Sequence, residues 1–157
     1  MPDFATTDLS LAIAHHLLIF ALAAVLAFEI GAIRTNLAGE SVSRIARVDA
    51  WYGILAAAII VVGFSRAVFA AKGWAYYSTN YFFWAKIGAF AIVGLLSIAP
   101  TLTIVGWRRA AKADSAFLPA AGDIRRVRRF LWAEVFFFAL IPIFAAAMAR
   151  GYGSAPL

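Results

Sequence analysis

Four apolar runs, at residues 9–33, 50–71, 81–105 and 130–149, limit what this chain can fold into. Each is long enough to cross a hydrocarbon layer of about 30 Å as a helix rising about 1.5 Å per residue. A backbone in lipid must satisfy its own hydrogen bonds, so a run of this length becomes a helix. The composition fits that solvent: of 157 residues, 64% are hydrophobic and 14% charged, against roughly 45–50% and 25% in soluble domains. The connections at 34–47, 72–80 and 106–129 leave no room for an independently folded domain. The sequence predicts an all-α fold, an integral membrane four-helix bundle, as a single four-span transmembrane domain over residues 1–157.

The net charge of +6 would suggest nucleic acid in a soluble protein, but its placement gives it another meaning. Ten of the fourteen lysines and arginines sit in the first and third connections and their flanks: Arg34, Arg44, Arg47, Arg108, Arg109, Lys112, Arg125, Arg126, Arg128 and Arg129. Lys72 and Arg150 mark the other side. The positive-inside rule then makes the two basic connections cytoplasmic and puts both termini outside. The expected place is a bacterial inner membrane, crossed several times, with N and C termini periplasmic. The expected partners are the lipid bilayer and either a second copy or a larger membrane complex, with no nucleic acid. The opening stretch MPDFATTDLS is acidic and lacks the basic start of a signal peptide, so the first helix is expected to remain.

Thr7 or Asp8, Ser78 to Asn80, and Asp123 are N-cap types before three of the runs, and Gly151 and Gly153 follow the last. Pro100 and Pro142 fall inside spans three and four. Small residues recur every fourth position in Ala23, Ala27 and Gly31, and in Gly53 and Ala57, a spacing that lets helices approach closely in lipid. With no cysteine, disulfide frameworks, thiolate metal sites, iron–sulfur clusters and covalently attached haem are excluded.

Ionisable residues inside the spans carry the chemical information, because each costs at least ~2.5–3.5 kcal/mol at mid-bilayer unless paired, hydrated or liganded. By depth they form two layers. Glu29, Asp49 and Glu134 lie toward the arginine-rich ends, where ion pairs with Arg34, Arg47 and the Arg125–Arg129 cluster are expected, with a proton relay as the alternative. His15, His16, Arg66 and Lys86 lie at similar height toward the other side and have no acid at their own depth. A bound anion or an anionic cofactor would stabilise them. His16 shares a helical face with Ala23 and Ala27, while His15 is rotated toward Leu22 and Leu26. Lys86 shares a face with Val93 and Ser97, near Pro100, and Met148 shares one with Ala145, Ile141 and Glu134. Imidazole, thioether and two cations at one height match the needs of haem b: His16 or His15 as the metal ligand, Met148 opposite, and Arg66 and Lys86 for the propionates. The aromatics from Trp74 to Trp84 read mainly as an interfacial belt.

The segments AHHLLIFALAAVLAFEIGAIR, RVDAWYGILAAAIIVVGFSRAVF and KGWAYYSTNYFFWAKIGAFAIVGLLSIAPT, with the closing GWRR, resemble a family of bacterial four-helix inner-membrane proteins known as a domain of unknown function. The resemblance covers roughly residues 10–150, and YFFWAK, with Lys86, is its most distinctive string. More distantly, the pattern is similar to HemJ-type protoporphyrinogen oxidases and CopD-type copper-resistance membrane proteins. The HemJ-type resemblance rests on His16–Leu17 in the first span and Lys86 in the third. It implies haem b and porphyrinogen oxidation, with His16 as the ligand and Lys86 as the cofactor or substrate anchor. Three functions follow as expectations. They are a tetrapyrrole-binding membrane redox protein, with possible haem-dependent oxidoreductase activity; a small solute, ion or proton permease; and a non-catalytic subunit or assembly factor of a larger complex.

Overall fold

In the computed structural model, which describes residues 4–34, 37–69 and 73–153, the chain is all-helical. Its order is α1 (Phe4–Ala32), α2 (Gly39–Phe69), α3 (Gly73–Ser78), α4 (Tyr81–Ala113) and α5 (Ala121–Ala149). Four of these are long and apolar enough to span a membrane. They pack in the ring order α1–α2–α4–α5, with α4 and α5 most closely apposed and α1 and α5 closing the ring lightly. The bundle has a buried centre in Leu22, Leu26, Ile59, Val93, Leu131 and Ile141, and aliphatic and aromatic side chains also cover its outside, as lipid contact requires.

The helices extend beyond the apolar runs. α2 begins at Gly39 and α4 runs to Ala113, so much of both basic connections is helical rather than loop. The second connection holds the short α3, packed by edge-on contacts of Trp74 with Phe83 and Trp84. Lys72 lies outside the described residues. Two expected caps are displaced: Thr7 and Asp8 fall inside α1, and Asp123 sits in the first turn of α5 behind an N-cap at Ala120.

Asn80 does cap α4. Its Oδ1 accepts from the backbone N–H of Phe82 (2.9 Å) and Phe83 (3.3 Å), and its Nδ2 donates to the Tyr152 carbonyl (3.0 Å). Gly151 and Gly153 end α5 with positive φ of 83° and 77°, the left-handed turn that glycine adopts without strain. The returning chain lets the Gly153 carbonyl accept from the Tyr81 N–H at 3.0 Å. Asn80→Ala removes a cap and a tether together, and caps alone contribute about 0.5–2 kcal/mol. Thermal unfolding in detergent should show a loss of about 1–3 kcal/mol.

The small-residue stripes do not pack the bundle. Ala27, Gly31, Gly53 and Ala57 are exposed, and a Cβ added at Gly31 or Gly53 would meet nothing within 4 Å. Close approach occurs instead at Gly63 of α2, where an added Cβ would lie 3.2 Å from Cε1 of His15.

Candidate functional site

Three levels repeat along the four long helices. Glu29, Tyr52, Pro100 with Thr101, and Glu134 define one. Seven residues along each helix, about 10.5 Å, lie Leu22, Ile59, Val93 and Ile141, all buried. Seven further stand His15, Arg66, Lys86 and Met148. A heptad step returns nearly to the same helical face, so the buried centre is layered as acidic, aliphatic and basic.

The acidic level is enclosed: Glu134 is 1%, Glu29 2% and Asp49 6% exposed. Across the bundle, from α2 to α5, the Tyr52 hydroxyl donates to Oε2 of Glu134 at 3.0 Å. From α4 to α2, the Thr101 hydroxyl donates to Oδ1 of Asp49 at 2.7 Å. The three carboxyls lie within electrostatic range of one another, and Tyr52 within range of all three. Oε1 of Glu29 and Oε1 of Glu134 are buried without a hydrogen-bond partner among the described residues.

The expected arginine pairs are absent among the described residues, where the salt bridge found is the exposed Arg44–Glu40 contact at 3.9 Å. Arg34 turns back to its own helix end, its Nε donating to the Gly31 carbonyl (2.6 Å), and Arg128 donates to the Ile33 carbonyl (2.8 Å). Both cations thereby meet the negative end of the α1 dipole. Arg47, two residues from Asp49, points to a different face of α2 and is exposed. Arg125 and Arg129, with Arg128, Gly122 and Trp132, line an open cleft at the surface. Leaving a buried carboxylate without a cation costs several kcal/mol. The trio therefore cannot carry three full negative charges unless protons or a cation join it.

At the basic level, the two histidines part company. His15 is half-buried, packed against Gly63 and within electrostatic range of Lys86 and Arg66. Nδ1 of His15 and Nε of Arg66 are buried without a hydrogen-bond partner among the described residues. Lys86 holds its Nζ 5.2 Å from the centroid of the Phe83 ring, a cation–π contact. His16, favoured by the sequence resemblance as the ligand, is exposed on the outer face of the bundle. Its Nδ1–H donates to the Ala12 carbonyl at 2.6 Å, which leaves Nε2 as the free lone pair. The imidazoles stand edge to face with centroids 6.3 Å apart. The structure thus gathers His15, Arg66 and Lys86 and leaves His16 outside. Met148 is half-buried at the matching level of α5.

No group of three or more His, Asp or Glu side chains among the described residues converges on a metal position. Comparison with known proteins gives a match over residues 7–153 to the family model described as predicted membrane protein, DUF2214. The chain belongs to the DUF2214 family. No curated protein and no solved structure matches it, and the more distant likeness to HemJ-type and CopD-type proteins is not shown. The family description and the four spans together make this an integral membrane protein.

Tyr52 and Thr101, which the sequence reading left out, are the hydroxyl partners of the acidic level. Their signal was available: Tyr52 lies three residues from Asp49 on the same face of α2, and Thr101 follows a proline inside a span.

Proposed function

We propose that this chain is a small membrane permease in which Glu29, Asp49 and Glu134 form a proton-binding centre. The observation that carries this is the burial of three mutually interacting carboxyls with hydroxyl partners and no ion-paired cation among the described residues. Tyrosine and threonine hydroxyls donate and accept at one oxygen. The Tyr52 oxygen takes a proton from hydronium in entering water as its own proton passes to Oε2 of Glu134, so the proton count is conserved and no oxidant or reductant is required. Leu22, Ile59, Val93 and Ile141 form the barrier between this centre and the basic level. Transit therefore needs water entry or helix rearrangement, and it is slower than through an open channel.

The test uses the full chain in phosphatidylcholine vesicles with a potassium-diffusion potential and an internal pH dye. Proton entry should exceed that of protein-free vesicles, and equal rates would overturn the proposal.

One observation favours a second function, tetrapyrrole binding. The Nδ1 hydrogen bond of His16 fixes the tautomer that leaves Nε2 available to a metal, the arrangement common in ligating histidines. Haem b held this way would sit against the outer face of α1, away from Arg66 and Lys86. A Soret band in the purified protein that disappears in His16→Ala would support this function, and a colourless preparation after haem loading would reject it.

A further inference from the structure

We infer that His15, Arg66 and Lys86 form a binding site for a small oxyanion, a carboxylate or phosphate group, between α1, α2 and α4. This deepens the permease proposal by naming the class of solute its other level would take.

Three helices each supply one nitrogen base to the site. Arg66 stands one turn from the end of α2, and Lys86 stands little more than one turn from the start of α4. The site is therefore shallow enough to be reached from the aromatic end of the bundle. Long cationic side chains in a span ordinarily extend to the interface and keep their heads in water. Here Nε of Arg66 is buried and without a hydrogen-bond partner among the described residues, and so is Nδ1 of His15. Lys86 holds its Nζ 5.2 Å from the centroid of the buried Phe83 ring. The acid nearest along α1 is Asp8, two turns from His15, and it forms no ion pair with these groups among the described residues.

Two fixed cations of like sign held near a third base repel one another, and a negatively charged ligand removes that cost. Guanidinium presents a planar fork of donors that matches the paired oxygens of a carboxylate or phosphate. The ammonium adds a point charge, and a His15 N–H can add a further donor. Gly63 contributes by its lack of a side chain, which lets the imidazole lie against α2 rather than project toward lipid. The same chemistry can come from a soluble anion or from the phosphate of an anionic lipid headgroup.

Equilibrium binding separates these sources and needs no gradient, so its failure and the failure of proton transport are distinguishable. The full chain in neutral detergent is titrated with acetate and with inorganic phosphate at constant ionic strength, reading thermal stability and the ³¹P line width of the phosphate. A parallel series uses phosphatidylcholine nanodiscs with and without phosphatidylglycerol. A saturable response to acetate or phosphate, weakened at least tenfold in Arg66→Gln and Lys86→Gln and retained in Arg125→Gln, identifies a soluble anion as occupant. A phosphatidylglycerol response with the same dependence on the variants identifies the lipid headgroup. If Arg66→Gln fails to fold, Lys86→Gln carries the comparison. Absence of any saturable response, or responses in Lys86→Gln equal to those of the wild type, would overturn the assignment.

Discussion

Glu134→Gln should lower proton flux into vesicles at least tenfold while leaving the bundle folded. Glutamine keeps the shape of the side chain and an oxygen that accepts from Tyr52, so the diagonal link between α2 and α5 survives. It cannot carry a proton between two states, so transfer at this position stops. The expected change in stability is below about 1 kcal/mol, because the hydrogen bond is kept and a buried ionisable group is removed. Tyr52→Phe separates the two roles from the other side. It leaves Oε2 of Glu134 without its hydroxyl donor, and an unsatisfied buried acceptor costs about 1–3 kcal/mol. Unfolding in detergent together with vesicle flux checks both variants. A Glu134→Gln protein that is folded and conducts like the wild type would remove Glu134 from the proton path.

The second large effect is expected in the aliphatic level. Leu22 is fully buried, seven residues from both His15 and Glu29. Leu22→Ala leaves a cavity between helices whose association in lipid depends on packing contacts. Large-to-small changes at such sites cost about 2–5 kcal/mol in well-packed interiors. The cavity also thins the barrier between the acidic and basic levels, so proton flux should rise several-fold even as stability falls. Leu22→Ile, which conserves volume, should change either quantity little. If flux falls in parallel with stability in Leu22→Ala, the barrier does not lie at this level.

The architecture was legible because runs of about 20 apolar residues admit few alternatives. Which face of each helix points inward was less legible, for a physical reason. In lipid both faces of a helix are apolar, so hydrophobic periodicity loses the contrast it has in water. The small-residue stripe through Ala23, Ala27 and Gly31 suggested one inward face for α1, and the structure turns Ala27 and Gly31 out. Glu29 would have been the better guide, since an unpaired carboxyl belongs in the bundle centre. Two heptads from Glu29 is His15, whereas His16 falls on another face. The same step links Tyr52 to Arg66, Lys86 to Pro100 and Glu134 to Met148. The expected ion pairs do not form among the described residues because closeness in sequence is not closeness in space. Arg47 and Asp49 are two positions apart and so about 200° apart around the helix, on nearly opposite faces. The short α3 was missed because its six residues lie within an aromatic stretch explained by the membrane interface alone.

The most direct measurement compares wild type and Glu29→Gln in sealed vesicles in which choline replaces every small inorganic cation except a trace of potassium for the driving potential. Glu29 lies buried beside both other carboxyls, with Oε1 unpartnered among the described residues. The account predicts wild-type proton entry that persists without sodium and is at least tenfold slower in Glu29→Gln. Wild-type flux no faster than through lipid alone, or equal flux in the two proteins, would contradict it.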